Sequence, residues 1–109
     1  MPYDEALARR VREALGDRSD VSEKSMFGGL AFLLRGNMCV GVIRGELMIR
    51  VGPKAHDTLV REPHAREMDF TGRPMKGFVH VAGKGLASDG DLQGWVARGV
   101  SFAASLPPK

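Results

Sequence analysis

Cysteine is nearly missing from this chain, whose 109 residues include only Cys39. A lone cysteine excludes an internal disulfide, which agrees with a reducing compartment. Long apolar runs are missing too, since none approaches the roughly 20 residues needed to cross a bilayer. The N-terminal stretch MPYDEALARR is typical of an amphipathic helix and has no signal-peptide core. We therefore expect a cytoplasmic protein without membrane association.

Blocks of like charge are also missing. The 16 basic and 13 acidic residues give a formal charge of +3 and are interspersed along the chain. Such a distribution is typical of a mixed solvated surface, and few aromatic residues are available to stack on bases. Weak nucleic-acid binding through scattered arginines is therefore an alternative function, not the leading one.

Amphipathic helices are predicted at both ends of the chain. Asp4 can cap the first, in which Leu7, Val11 and Leu15 recur on one face before Gly16 ends it. Ser88 or Asp89 can cap the last, whose apolar stripe consists of Leu92, Trp95, Val96, Gly99, Phe102, Ala103 and Leu106. A glycine within that stripe predicts a close approach of the helix to a sheet.

Three apolar segments between these helices predict strands, at 30–34, 38–43 and 46–51. They are separated by Arg35-Gly36-Asn37 and Arg44-Gly45, which suit tight hairpin turns. The polar segment 17–25 predicts a connecting loop. A short helix is predicted at 54–62 after Pro53, followed by strands at 68–70 and 75–82.

The predicted fold is a single two-layer α+β domain over residues 1–109, with an antiparallel sheet and helices in the order α-β(3)-α-β(2)-α. The segment MCVGVI is apolar on both strand faces. A strand of this kind indicates that the second face of the sheet is covered as well. We therefore expect a homodimer formed through that face.

Two features resemble chemical sites. Gly28 and Gly29 precede a strand, whereas a phosphate-binding loop places its glycines before a helix, so this pair predicts a bend. Cys39 lies among apolar residues, where a thiol is a small buried hydrophobe. A small cysteine-dependent enzyme therefore remains only a further alternative.

The three histidines, His56, His64 and His80, do not form a metal motif with Cys39, because no two of these residues are closer than eight positions. We expect surface histidines. We assign no catalytic, cofactor-binding or metal-binding residue from the sequence.

Several short motifs together resemble the TfoX/Sxy family, specifically its N-terminal domain. They are Met26-Phe27-Gly28-Gly29, Gly45-Glu46-Leu47, Arg50-Val51-Gly52 and the segment FTGRPMKGFV at 70–79. The resemblance extends from Tyr3 to Leu106 and leaves no room for the second domain of longer members. It implies a stand-alone N-terminal domain with a fold similar to that of type III secretion chaperones.

The resemblance also implies a function without catalysis. Two-domain members act in bacterial competence as transcriptional coactivators beside a cyclic-AMP receptor protein. We therefore expect a regulatory protein-interaction module whose partner belongs to the transcription machinery. Arg73 and Lys76, in the loop before Gly77, are the candidate contacts for a partner or an anion. Phe27, Phe78 and Trp95 are expected to fill the core or an interface.

Overall fold

The computed structural model describes residues 3–26, 28–69 and 74–108, and the side chains of residues 26, 68–69 and 74–76 lie outside that description. The α+β class and the order predicted from the sequence are confirmed, with one added strand. The elements are α1 Glu5–Leu15, β1 Val21–Met26, β2 Gly29–Leu34, β3 Asn37–Ile43, β4 Glu46–Arg50, α2 Pro53–Leu59, β5 Ala65–Asp69, β6 Pro74–Val81 and α3 Asp89–Ala104.

Side-chain caps fix the starts of the two longer helices. Asp4 Oδ1 accepts from the backbone N–H groups of Ala6 and Leu7, at 2.9 and 3.1 Å. Ser88 Oγ accepts from the Asp91 N–H at 3.1 Å, which selects Ser88 as the cap of α3. None of the described helices combines the length and the hydropathy required to span a bilayer.

The six strands form one antiparallel sheet in the order β1-β2-β3-β4-β6-β5. Tight turns connect β2 to β3 and β3 to β4, as predicted, but the first has two residues instead of three because Asn37 already belongs to β3. In the first turn Arg35 and Gly36 both have positive φ, 51° and 86°. In the second turn Arg44 has a φ of 54°. These conformations suit the right-handed twist of a hairpin.

The prediction of a loop over 17–25 is wrong for residues 21–25. These residues belong to the edge strand β1, which spans 21–26. Its side chains are mostly exposed and polar, so the apolar alternation that marks a strand is missing. Backbone pairing with β2 holds it in place, in a register from Val21↔Leu34 to Met26↔Gly29. Arg12 of α1 also donates two hydrogen bonds to the Glu23 carboxylate, at 2.6 and 2.8 Å.

One side of the sheet packs against the helices. The strand residues in this core lie in rows across the sheet: Leu30, Val42, Leu47 and Val81 in one row, and Phe32, Val40, Ile49 and Val79 in the next. Gly99 allows α3 to approach β3 closely, as predicted. A Cβ at this position would lie 2.5 Å from the Cys39 carbonyl oxygen and 3.2 Å from Val40 Cγ2.

We predict that Gly99→Ala destabilises the fold, because the methyl group would overlap the β3 backbone and push α3 away. The expected loss is about 1–3 kcal/mol in the free energy of unfolding. Urea denaturation followed by circular dichroism measures it.

Gly94→Ala is the matched control in the same helix, since a Cβ there has no neighbour within 4 Å. This change should stabilise the protein by up to about 1 kcal/mol through helix propensity. Equal effects of the two substitutions would contradict the close approach at Gly99.

Candidate functional site

The sheet side opposite the helices carries a second apolar surface, which we call the open face. It consists of Ala31, Leu33, Met38, Gly41, Ile43, Met48 and Phe78. Strand pairing places Ala31, Gly41, Met48 and His80 in one row across it. Ala31 and Met48 are buried but do not belong to the helix-side core. The buried apolar helix residues belong to the core on the other side.

The centre of the open face is closed by two methionines. A Cβ on Gly41 would lie 2.9 Å from the Met38 methyl group and 3.1 Å from the Met48 methyl group, so both side chains lie over this glycine. Ala31 and Met48 are consequently only 1% and 2% exposed. The surrounding apolar side chains remain half-buried, namely Leu33, Met38, Ile43 and Phe78. They form an apolar surface that a partner can cover.

An ionic cluster adjoins this surface. His80 Nε2 lies 2.7 Å from Glu46 Oε1, and an Arg66 guanidinium nitrogen lies 3.6 Å from the same oxygen. The three residues come from β6, β4 and β5, and pairing across the strands brings them to the same face. Burial lowers the pKa of His80, the carboxylate of Glu46 opposes that shift, and the charge of Arg66 reinforces it.

The prediction of surface histidines is wrong for two of the three. His80 is 8% exposed and His56 is 3% exposed, whereas His64 is exposed. Both burials arise from tertiary packing, which the sequence does not reveal. His80 is enclosed between neighbouring strands of the sheet, and His56 is the fully buried residue of α2.

His56 joins α2 to β6 at Gly77. Its Nδ1 accepts a hydrogen bond from the backbone N–H of Gly77 at 2.8 Å. Gly77, with a φ of 94°, accepts at its carbonyl from the N–H groups of Val51 and Gly52, at 2.8 and 3.0 Å. The other ring nitrogen of His56 has no hydrogen-bond partner among the described residues and lies 3.9 Å from Glu67 Oε1. This junction fixes β6 directly after Lys76, which the structure places in β6 and not in the loop predicted to contact a partner.

The two candidate contacts themselves are outside the description. Arg73 and Phe27 lie outside the described residues, and so do the side chains of Lys76 and Met26. Gly28 lies in the turn between β1 and β2 with a φ of 73°, and Gly29 begins β2. Of the aromatic residues, Phe78 lies on the open face and Trp95 in the helix-side core, 5% exposed.

Cys39 is fully buried, as predicted. Its Sγ donates to the Phe32 carbonyl oxygen at 3.3 Å. Burial raises the pKa of this thiol to about 11, against an ordinary value of 9.0. Reactive cysteines have the opposite properties, namely exposure and a lowered pKa. The geometry therefore favours a packing role for Cys39.

Metal-ligating side chains do not converge in the part of the chain that is described: it contains no cluster of three or more His, Cys, Asp or Glu residues suited to a metal ion. The residues that the structure brings together, Glu46, Arg66 and His80, were not grouped by the sequence analysis. Their contact depends on strand register across three strands. The sequence does indicate the apolar part of the site, because its strands are apolar on both faces.

Comparison with known proteins gives one match. The family model described as the TfoX N-terminal domain matches residues 13–103, which is most of the chain. No curated protein and no solved structure matches it.

We predict that Cys39 reacts slowly with a thiol reagent in the native protein. The raised pKa alone lowers the thiolate fraction at pH 8 about 100-fold, and burial restricts access further. Labelling by a chromogenic disulfide reagent, with and without urea, measures the ratio of the two rates. Fast native labelling would favour the cysteine-dependent enzyme.

We also predict that His80 titrates below its ordinary pKa of 6.5 in the folded protein. Neutral His80 therefore contributes stability above about pH 6.5, and this contribution is lost as the pH falls towards the folded pKa. Nuclear magnetic resonance of the imidazole protons gives the midpoint directly.

Two variants test the causes of this shift. Glu46→Gln should lower the His80 midpoint further, and Arg66→Gln should raise it. Shifts of the opposite sign would show that the ionic cluster does not control His80.

Proposed function

Because the chain belongs to the TfoX N-terminal domain family, we propose that it is a non-enzymatic protein-interaction module with a regulatory role. The open face is the observation that carries this proposal. A half-buried apolar surface beside an ionic cluster combines the two properties of an interface, an apolar centre and a charged rim. The buried thiol of Cys39 supports the proposal that this module does not act as a cysteine-dependent enzyme.

The first partner that we propose is a second copy of the chain. A two-fold axis brings the same surface of both subunits together, so the surface must complement itself. The open face meets this condition, since its centre is apolar and its ionic cluster contains Glu46 and Arg66, which have opposite charges. A standard interface uses about 800 Å² per subunit, roughly an eighth of the 6179 Å² surface of this chain.

The regulatory partner that we propose is a protein of the transcription machinery, as the family resemblance implies, in the cytoplasm. Nucleic acid is not favoured as the main partner. Arg10 already donates to the Leu86 carbonyl and lies 3.2 Å from Asp89, Arg12 pairs with Glu23, and Arg35 lies 3.4 Å from Asp20. Arginines that are engaged within the protein contribute less to phosphate binding.

We predict that the protein is dimeric in solution and that Met38→Glu makes it monomeric. The substitution places a charge at the centre of the open face, where pairing would desolvate it. Sedimentation velocity at about 10–100 μM, a range that weak homodimers populate, measures the change.

Gln93→Glu is the matched control, because it adds the same charge at an exposed position of the helix layer. It should leave the dimer intact, and circular dichroism should show that both variants are folded. A monomeric parent protein, or a dimer unaffected by Met38→Glu, would overturn the proposed self-association through the open face.

Affinity capture from the native host tests the regulatory partner. A transcription protein retained by the parent chain would support the proposal, and recovery of nucleic acid alone at physiological salt would overturn it.

A further inference from the structure

A second apolar surface lies in the helix layer, between α2 and α3. It is an open groove of about 490 Å³ lined by Val51, Ala55, Leu59, Ala97, Arg98, Ser101, Phe102 and Ser105. Its α3 wall presents small exposed side chains at every fourth position, Ala97 and Ser101 within α3 and Ser105 directly after it. Small side chains at this spacing lie on one face of the helix, so that another segment can approach the helix backbone closely there.

The floor and the far end of this groove are fixed by packing. Gly52 lies against the Phe102 ring so closely that a Cβ on Gly52 would overlap the ring. Leu59 and Ala55 are partly buried against the core and form the α2 wall. From Arg98 to Ser105 the groove extends about 10 Å along α3, the length of two helical turns.

Two arginines lie beside the groove and differ in whether a carboxylate of the described residues is close to them. Arg98 lies over the Trp95 ring at 4.4 Å, and its guanidinium is 3.5 Å from Glu62 Oε1. Arg50 lies 5.4 Å from the centroid of the Phe102 ring, and the described residues provide no carboxylate within 4.0 Å of it. The charge of Arg98 is thus balanced locally, while Arg50 adds a positive charge at the Phe102 end of the groove that no carboxylate of the described residues balances.

We propose that this groove binds a short acidic amphipathic helix of a partner protein. Two turns of such a helix insert apolar side chains between α2 and α3, and a Glu or Asp faces Arg50. The inference rests on the proposed interaction function and names the partner chemistry. The groove lies in the helix layer, and Arg50 adjoins both surfaces, since it pairs with Phe78 across the strands and its guanidinium lies 5.8 Å from the centroid of that ring.

The probe that tests this proposal is a fluorescein-labelled helical peptide of about 14 residues, with leucines at i, i+4 and i+7 and glutamates beside them. A second peptide carries glutamine in place of each glutamate. Fluorescence anisotropy measures both affinities for the parent protein and for Arg50→Gln. We expect the glutamate peptide to bind about 2–5-fold more tightly than the glutamine peptide, and this preference to disappear in Arg50→Gln.

Ser101→Glu tests the location of binding, and Ala104→Glu is its control. Both add one negative charge at an exposed position of α3, but only Ser101 lines the groove. Ser101→Glu should weaken binding of the glutamate peptide at least about 10-fold, because the new side chain fills part of the groove and its charge repels the glutamates. Ala104→Glu should change the affinity less than about 2-fold. Circular dichroism establishes that both variants are folded.

Three results would overturn the inference: no binding of the glutamate peptide by the parent protein, equal weakening by both variants, or loss of the dimer in Ser101→Glu. The last result would assign the groove to a second copy of the chain. Sedimentation of the parent protein separates this inference from the self-association proposal. Peptide binding by a monomeric parent would support the groove and exclude self-association through the open face.

Discussion

The contact between α3 and β3 at Gly99 is the constraint on which the rest of this structure depends. The helix backbone lies directly on the Cys39 carbonyl, so the apolar residues of α3 reach the strands beneath. A side chain at Gly99 would push these layers apart and leave a gap between them. Water would have to enter that gap, or the surrounding residues would have to shift to close it. Because α1 packs on α3, its position depends on the same contact. The groove between α2 and α3 exists only while α3 is held there.

Strands β2 to β4 supply two surfaces at once. Their helix-side rows form the core, and the alternate residues form the open face. Sheets covered on both faces have strands that are apolar throughout, which is the pattern seen here. Met38 and Met48 close the centre of the open face over Gly41, since an unbranched side chain can lie flat across a glycine. This local closure limits the exposed apolar area without removing it.

Sequence reasoning succeeded where the signal is local. The cap at Asp4, the cap at Ser88 or Asp89 and the glycine within the α3 stripe each depend on neighbours along the chain. It failed where tertiary pairing decides. β1 is a polar edge strand that requires β2 beside it, and His80 is buried because β4 and β5 flank β6. The ionic cluster needs the register of three strands at once, which no spacing within a single segment encodes.

The position of the ionic cluster restricts how a partner can lie on the open face. Glu46, Arg66 and His80 occupy β4, β5 and β6, whereas Leu33 and Met38 lie on β2 and β3. An interface centred on the cluster would desolvate three ionisable groups, at a cost that their mutual attraction rarely offsets. An interface centred near Met38 and Gly41 buries apolar area and leaves the charges at the rim. There they can orient the partner, because opposite charges must face one another across the axis.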